Sequence, residues 1–259
     1  IPRDRDQAFP NYDVLITAIT RQTMPFLRQL RVYSPDIGNM KWATWSARHF
    51  DRAFINQLGW KEWESEAIFI RENLTDSVIE ASFKIWPQRA YDLSAETIIK
   101  YLKARRDSVV TFARERYLLL SKEVDVYGTD ENELFEIDRV ADGQVRVRVF
   151  EINKKGEKKD MVYERLFLVD ETKVVNVYGV GDDDIFRVSG KVNQSIKVRL
   201  IGGQGKDLFE DESQVLGADR LTHVYDDKEK NTVNGGIETA DKRTRQRIYN
   251  LYDHRAAHN

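Results

Sequence analysis

The chain has 259 residues, 41% hydrophobic and 32% charged, which is room for one large domain or two ordinary ones around a buried core. A net charge of −2 gives no global pull toward nucleic acid or an anionic membrane. The lack of cysteine excludes disulfides, thiolate metal sites and cysteine nucleophiles, and no apolar run approaches the roughly 18 residues that would span a bilayer.

The chain opens Ile1-Pro2-Arg3-Asp4 with no initiator Met and no signal-peptide pattern, as expected of a piece of a longer protein. In Asp4-Arg5-Asp6, two carboxylates at i and i+2 on a strand point to one side. Such a pair holds Mg²⁺ against a phosphate in kinase-like enzymes, or forms local salt bridges with Arg3 and Arg5. Spacing alone favours the salt bridges.

From about Tyr12 to Val124 the apolar residues recur at helical spacing. Pro25 interrupts a first helix, which Phe26, Leu27 and Leu30 close. Ser46 is read as the N-cap of a segment with Ala47, Phe50, Phe54, Ile55 and Leu58 inward, ended by Gly59. Thr75 caps another, with Val78, Ile79, Ser82, Phe83 and Trp86 before Pro87 stops it. Ser94 opens a long helix through Ile98, Leu102, Val109, Phe112, Ala113, Tyr117 and Leu120. His49-Phe50-Asp51 with Asn56 copies the spacing of a kinase catalytic loop, but these residues sit on an amphipathic helix, so Arg48, His49, Asp51 and Arg52 are read as its polar face. Trp42, Trp45, Trp60, Trp63 and Trp86 are read as packing residues rather than base-stacking platforms. His223, His254 and His258 have no neighbouring Cys, and a zinc site is not read from them.

Near Val124–Gly128 the period switches to alternation. Phe135–Val140, a turn at Asp142-Gly143 and Val145–Val149 predict a hairpin, and Met161–Leu168 a third strand after the polar turn Asn153–Lys159. A repeat follows: Val174–Phe186, then Lys197–Phe209, with a worn copy at Leu221–Asp227. Tyr178, Ile201 and Tyr225 share one repeat position, and Phe186, Phe209 and Val233 another, a period of about 23–24 residues. Self-similarity at that period predicts a short β-solenoid-like stack. Lys242, Arg243, Arg245 and Arg247 then form a basic run, read as a solvated tail or linker.

Gly202–Phe209 fits the Gly-Gly-x-Gly-x-Asp-x-apolar nonapeptide of calcium-binding β-rolls. Glycines bend the turn and carboxylates supply hard oxygens, so Asp183, Asp184 and Asp207 are candidate Ca²⁺ ligands. The alternative is a polar turn without an ion: Asp182 stands where the aligned copy has Gly205, and a third well-formed copy is missing. No Walker loop, Gly-x-Ser-x-Gly or dinucleotide-binding motif is present, and no catalytic set is assigned.

Five segments taken together, Ile1–Phe9, Trp45–Phe54, Leu74–Ile79, Val124–Asp130 and Leu200–Gly205, resemble the middle region of large proteins of Bacteroidetes-type bacteria. Those proteins carry an N-terminal calcineurin-like metallophosphoesterase domain and end in a surface-antigen, BamA-like outer-membrane barrel. The resemblance spans nearly the whole chain. It implies an extracytoplasmic location, with flanking domains of a longer chain as partners and neither phosphoesterase ligands nor barrel strands within this stretch. It also implies that the first residues follow a region like an atypical kinase catalytic loop, so that Asp4 or Asp6 would hold Mg²⁺ with ATP in a longer chain.

The sequence thus predicts an α+β protein: a helical part over 1–128, an antiparallel meander plus solenoid-like repeat over 129–240, and a basic linker over 241–259. The expected role is a non-catalytic extracytoplasmic spacer or interaction module, with no nucleic-acid partner and no membrane span. The alternatives are the C-terminal part of an atypical phosphotransferase and a calcium-stabilised adhesion module.

Overall fold

The structure is a computed structural model that describes residues 9–10, 24, 27–28, 31–55, 58–217 and 219–245. The chain divides into two compact units, Ile1–Leu120 and Ser121–Asn259. It is an α+β protein, helical first and stranded after. No described helix is long and apolar enough to cross a membrane.

The first unit contains α1 (Met40–Ala43), α2 (Arg48–Phe54), α3 (Trp60–Asn73), α4 (Asp76–Phe83), α5 (Gln88–Ala90) and α6 (Glu96–Asp107). α7 (Val109–Ser121) runs on to the boundary. Thr75 caps α4 as expected, its hydroxyl accepting the Val78 N–H, and this frees the helix to turn Ile79 and Phe83 inward. With the buried Ala95 these two form a small core against Leu74, Trp86, Ile98 and Leu102. Arg106 ties the start of α4 to the end of α6, donating to Leu74 O at 3.1 Å and to Asp76 at 2.5 Å. The tryptophans pack as predicted: Trp42 on Trp45 at 5.0 Å, Trp60 on Tyr117 at 5.6 Å and Trp86 on Phe83 at 4.7 Å between ring centres.

Three helical expectations change. The residue before α2 is Ala47 rather than Ser46, the helix stops at Phe54, and Gly59 precedes α3 instead of ending α2. Phe50 and Phe54 are each 65% exposed, their tilted rings 4.6 Å apart between centres, and Val78 is half exposed. The inward side of α2 is chosen by Asp51, which accepts a paired hydrogen bond from the guanidinium of the buried Arg116. Two opposite charges 65 residues apart override the aromatic periodicity. The long helix expected from Ser94 is two helices, broken at Ser108, whose N–H closes the α6 end on Ala104 O. Its first turn is a wide π-turn at Tyr91–Ala95. The closing residues of the Pro25 helix lie largely outside the described residues.

The second unit holds β1 (Glu123–Tyr127), β2 (Glu133–Ala141), β3 (Gln144–Ile152), β4 (Lys158–Leu168), β5 (Val174–Val180), β6 (Ile185–Ser189), β7 (Lys191–Val192) and β8 (Lys197–Gly203). It continues with β9 (Leu208–Asp211), β10 (Gln214–Val215), β11 (Thr222–Tyr225), β12 (Thr232–Asn234) and β13 (Thr239–Asp241). The switch from helix to strand therefore lies with this unit, and the division falls at residue 120, earlier than the sequence boundary at 128. The β2–β3–β4 meander is antiparallel as predicted, with Gly143 in the left-handed region (φ +71°) at the first turn.

The remaining pairings are parallel. One sheet has the order β1-β5-β8-β11-β13, a second the order β12-β9-β6-β2-β3-β4, and β7 pairs with β10. β2 is parallel to β6 on one side and antiparallel to β3 on the other. Tyr178 stands opposite Ile201 and Ile201 opposite Tyr225, while Phe186 stands opposite Phe209 and Phe209 opposite Val233. The repeat positions read from the sequence are thus sheet neighbours. β1 and β2 add a further layer that the sequence reading did not include, with Tyr127 opposite Tyr178 and Phe135 opposite Phe186. Alternate residues of the two larger sheets fill one apolar core: Val124, Val126, Val175, Val177, Val198 and Leu200 from the first, Ile137 and Val188 from the second. Phe135, Phe186 and Phe209 stack through it with ring centres 4.7 and 4.8 Å apart.

Candidate functional site

The chain turns between the two larger sheets at the ends of β1, β5, β8 and β11, and each turn carries the same pair of positions. A glycine stands five residues before an acid in Gly128/Glu133, Gly179/Asp184 and Gly202/Asp207, and the fourth turn has Asp226/Asn231. The second position caps the layer before it. Asp184 Oδ1 accepts the Glu133 N–H at 2.9 Å, Asp207 Oδ1 the Asp184 N–H at 3.0 Å, and Asn231 Oδ1 the Asp207 N–H at 2.7 Å. Glu133 takes the Thr129 N–H at 3.0 Å and the Thr129 hydroxyl.

The glycines make room for the second carboxyl oxygen. A Cβ on Gly179 would sit 2.1 Å from Asp184 Oδ2 and 2.5 Å from Gly202 O. Glu133 Oε2, Asp184 Oδ2 and Asp207 Oδ2 are buried and reached by no N–H or O–H donor. Burial pushes the Asp184 carboxyl up to about 10, and Glu133 and Asp207 are raised for the same reason. Glu133 and Asp184 act on one another electrostatically, as do Asp207 and Asp226. The column is an inward-facing ladder of carboxyl groups held by backbone N–H donors.

Sequence-predicted residues meet here in part. Asp184 and Asp207 are neighbours across 23 residues, turned inward. Asp183 lies on the exposed side of the same turn, where its carboxylate accepts the Lys206 N–H at 2.8 Å. Asp182 takes φ +65° opposite Gly205, the position where the aligned glycine was missing. Among the described residues, no group of three or more His, Asp or Glu side chains is arranged to hold a metal ion. Asp4 and Asp6 lie outside the described residues. Sequence reasoning did not single out Glu133, Asp226 or Asn231, although the five-residue spacing from Gly128, Gly179 and Gly202 marks the series.

A second buried polar group lies on the far side of the core. Arg139, on the inward parity of Phe135 and Ile137, is 2% exposed. Its guanidinium donates to the hydroxyls of Ser195 at 2.5 Å, Thr222 at 3.0 Å and Ser213 at 3.2 Å, and to Ile196 O at 3.0 Å. Asp211 and Glu238 supply the balancing charge. Asp211 is itself held by the Ser213 N–H and hydroxyl and by Thr239, and Glu238 by the Val215 and Leu221 N–H groups. Burial of Arg139 in this network was legible only as a cation on an otherwise apolar strand face.

The basic run after β13 begins in ordered contacts: Arg243 pairs with Asp241 at 2.9 Å and donates to Asn231 O at 2.5 Å. No protein-family model, curated protein or solved structure matches the chain.

Proposed function

We propose that the second unit is a short β-solenoid and that the chain serves as a non-catalytic, extracytoplasmic spacer or interaction module of a multidomain, outer-membrane-associated protein. The observation that carries the reading is how four of the buried acids are used. Asp184, Asp207, Asp211 and Glu238 each accept backbone N–H groups, most of them from a neighbouring layer, so side chains that could do chemistry are committed to stacking. Layers offset by 23 residues behave as repeated coils, each burying the face of the next. The location and the flanking domains rest on the resemblance of the five segments to the middle of metallophosphoesterase–barrel proteins.

A deletion tests the architecture. Excising residues 174–196 removes one period and brings Lys197 to the place of Val174, so β8 would pair directly with β1. A folded, cooperatively melting chain is expected, and an unfolded one would refute the coil reading. Assays of the purified chain for phosphatase and kinase turnover test the role. Robust turnover of either kind would overturn the spacer assignment.

A further inference from the structure

The fourth turn breaks the pattern of the other three, and the break sets two carboxyl groups face to face. Asp226 follows Tyr225, which pairs with Ile201, so Asp226 stands beside Gly202 where the other layers place glycine. Its Oδ2 lies 2.1 Å, and Asp207 Oδ2 2.3 Å, from the single point that a Cβ on Gly202 would occupy. The two residues are 1% and 2% exposed. Each has its other oxygen committed, Asp207 Oδ1 to the Asp184 N–H and Asp226 Oδ1 to the Asp227 N–H at 2.6 Å. The surrounding charges are mostly of like sign: Asp183 and Asp184 from the β5–β6 turn and Asp227 from the β11–β12 turn. Arg243, beyond β13, is the cation that acts on Asp226, and it is already paired with Asp241. Two carboxylates this close in a dry interior cannot both ionise at low cost, whereas a carboxyl donating to a carboxylate forms a strong charge-assisted bond.

We propose that Asp207 and Asp226 hold one proton between them, and that this shared proton makes the last layers of the unit, β11 to β13, a segment released by alkaline solution. The direction follows from linkage. Burial pushes Asp226 up to about 8 and Asp207 up to about 6, against about 4 for an aspartic acid in an unfolded chain. Between those limits the folded chain binds more protons than the unfolded one. The stabilisation is therefore complete below about pH 4 and is lost as the pH rises through 6 toward 8. The inference goes beyond the spacer reading and does not rest on it.

The test compares melting midpoints of the full chain at pH 5, 7 and 9, followed by the strand signal in circular dichroism, for the natural sequence and for Asp226→Asn. The natural chain is expected to lose about 5 °C between pH 5 and 9. Asp226→Asn is expected to show a clearly shallower loss, because its amide N–H replaces the shared proton at every pH. An equal slope in the two proteins would overturn the proposal. So would a calcium-dependent rise at pH 9 in the natural chain that Asp226→Asn lacks, since a cation would then hold the pair. If Asp226→Asn does not fold, Asp226→Gly, which restores the residue of the other three layers, carries the same comparison. In infrared spectra at pH 7 the protonated-carboxyl band should weaken in the variant, and an unchanged band would also refute the shared proton.

Discussion

The side-chain oxygen of Asn231 accepts the backbone N–H of Asp207 at 2.7 Å, so a neutral amide holds the place that carboxylates hold in the two preceding turns. The exchange has a reason in Asp226, which already brings one extra acid into that layer. Asn231→Ala leaves the buried Asp207 N–H without its acceptor and should cost about 1–3 kcal/mol in urea denaturation. Asn231→Asp keeps the acceptor but adds a charge to the column. It should be the weaker of the two at pH 7 and recover at pH 5, where the added carboxyl can take a proton.

Gly179→Ala tests the space beside the carboxyl ladder. The new methyl would meet Asp184 Oδ2 at 2.1 Å and Gly202 O at 2.5 Å, neither of which can retreat without opening a layer. A loss of about 3 kcal/mol is expected. Gly181→Ala, whose nearest atom is Asp130 Oδ1 at 3.3 Å, should lose much less in the same measurement.

Arg139 should be intolerant of both shape and charge changes. Arg139→Met strands Asp211 and Glu238 without a cation and leaves the acceptor at Ile196 O unused, with an expected cost of about 3–5 kcal/mol. Arg139→Lys keeps the charge but cannot reproduce a fork reaching Ser195, Ser213, Thr222 and Ile196 at once, so it should rescue only part of the loss. Guanidinium denaturation of the two variants reads the difference.

Phe186 is fully buried between Phe135 and Phe209. Phe186→Ala opens a cavity in the middle of that stack and should cost about 3–5 kcal/mol, while Phe186→Leu should cost less. The tryptophans all lie in the first unit, so their fluorescence should report whether the loss stays within the second unit.

The register of the repeats was legible in the sequence because parallel layers must bring like residues into one row. Tyr178, Ile201 and Tyr225 could be aligned on paper for the same reason that they are neighbours in the sheet. The meander was equally legible, from strict alternation on either side of Asp142-Gly143. The first layer was not, because β3 and β4 intervene and stretch the spacing between Glu133 and Asp184 to 51 residues, more than twice the period being sought. The turns were half legible. The pairing of glycine with aspartate could be read from the chain, whereas the inward turn of Asp184 and Asp207 onto neighbouring N–H groups could not. The orientation of α2 was hidden, since the Asp51–Arg116 pair is formed by residues far apart in the chain.

The position of β2 between a parallel and an antiparallel neighbour has a consequence for how such proteins lengthen. A parallel sheet edge is an open template: another copy of the chain, or a further repeat gained by duplication, can dock there indefinitely. At the β2 side that template is already filled by β3, which runs the opposite way, and beyond it by β4, which begins with Lys158, Lys159 and Asp160 and whose pairing to β3 is interrupted by irregularities at Phe150. Such an edge discourages end-to-end fibres. Growth of that sheet by added repeats, in evolution or in the laboratory, is therefore directional. New layers belong after β12, and insertions ahead of β2 should yield aggregation rather than a longer stack.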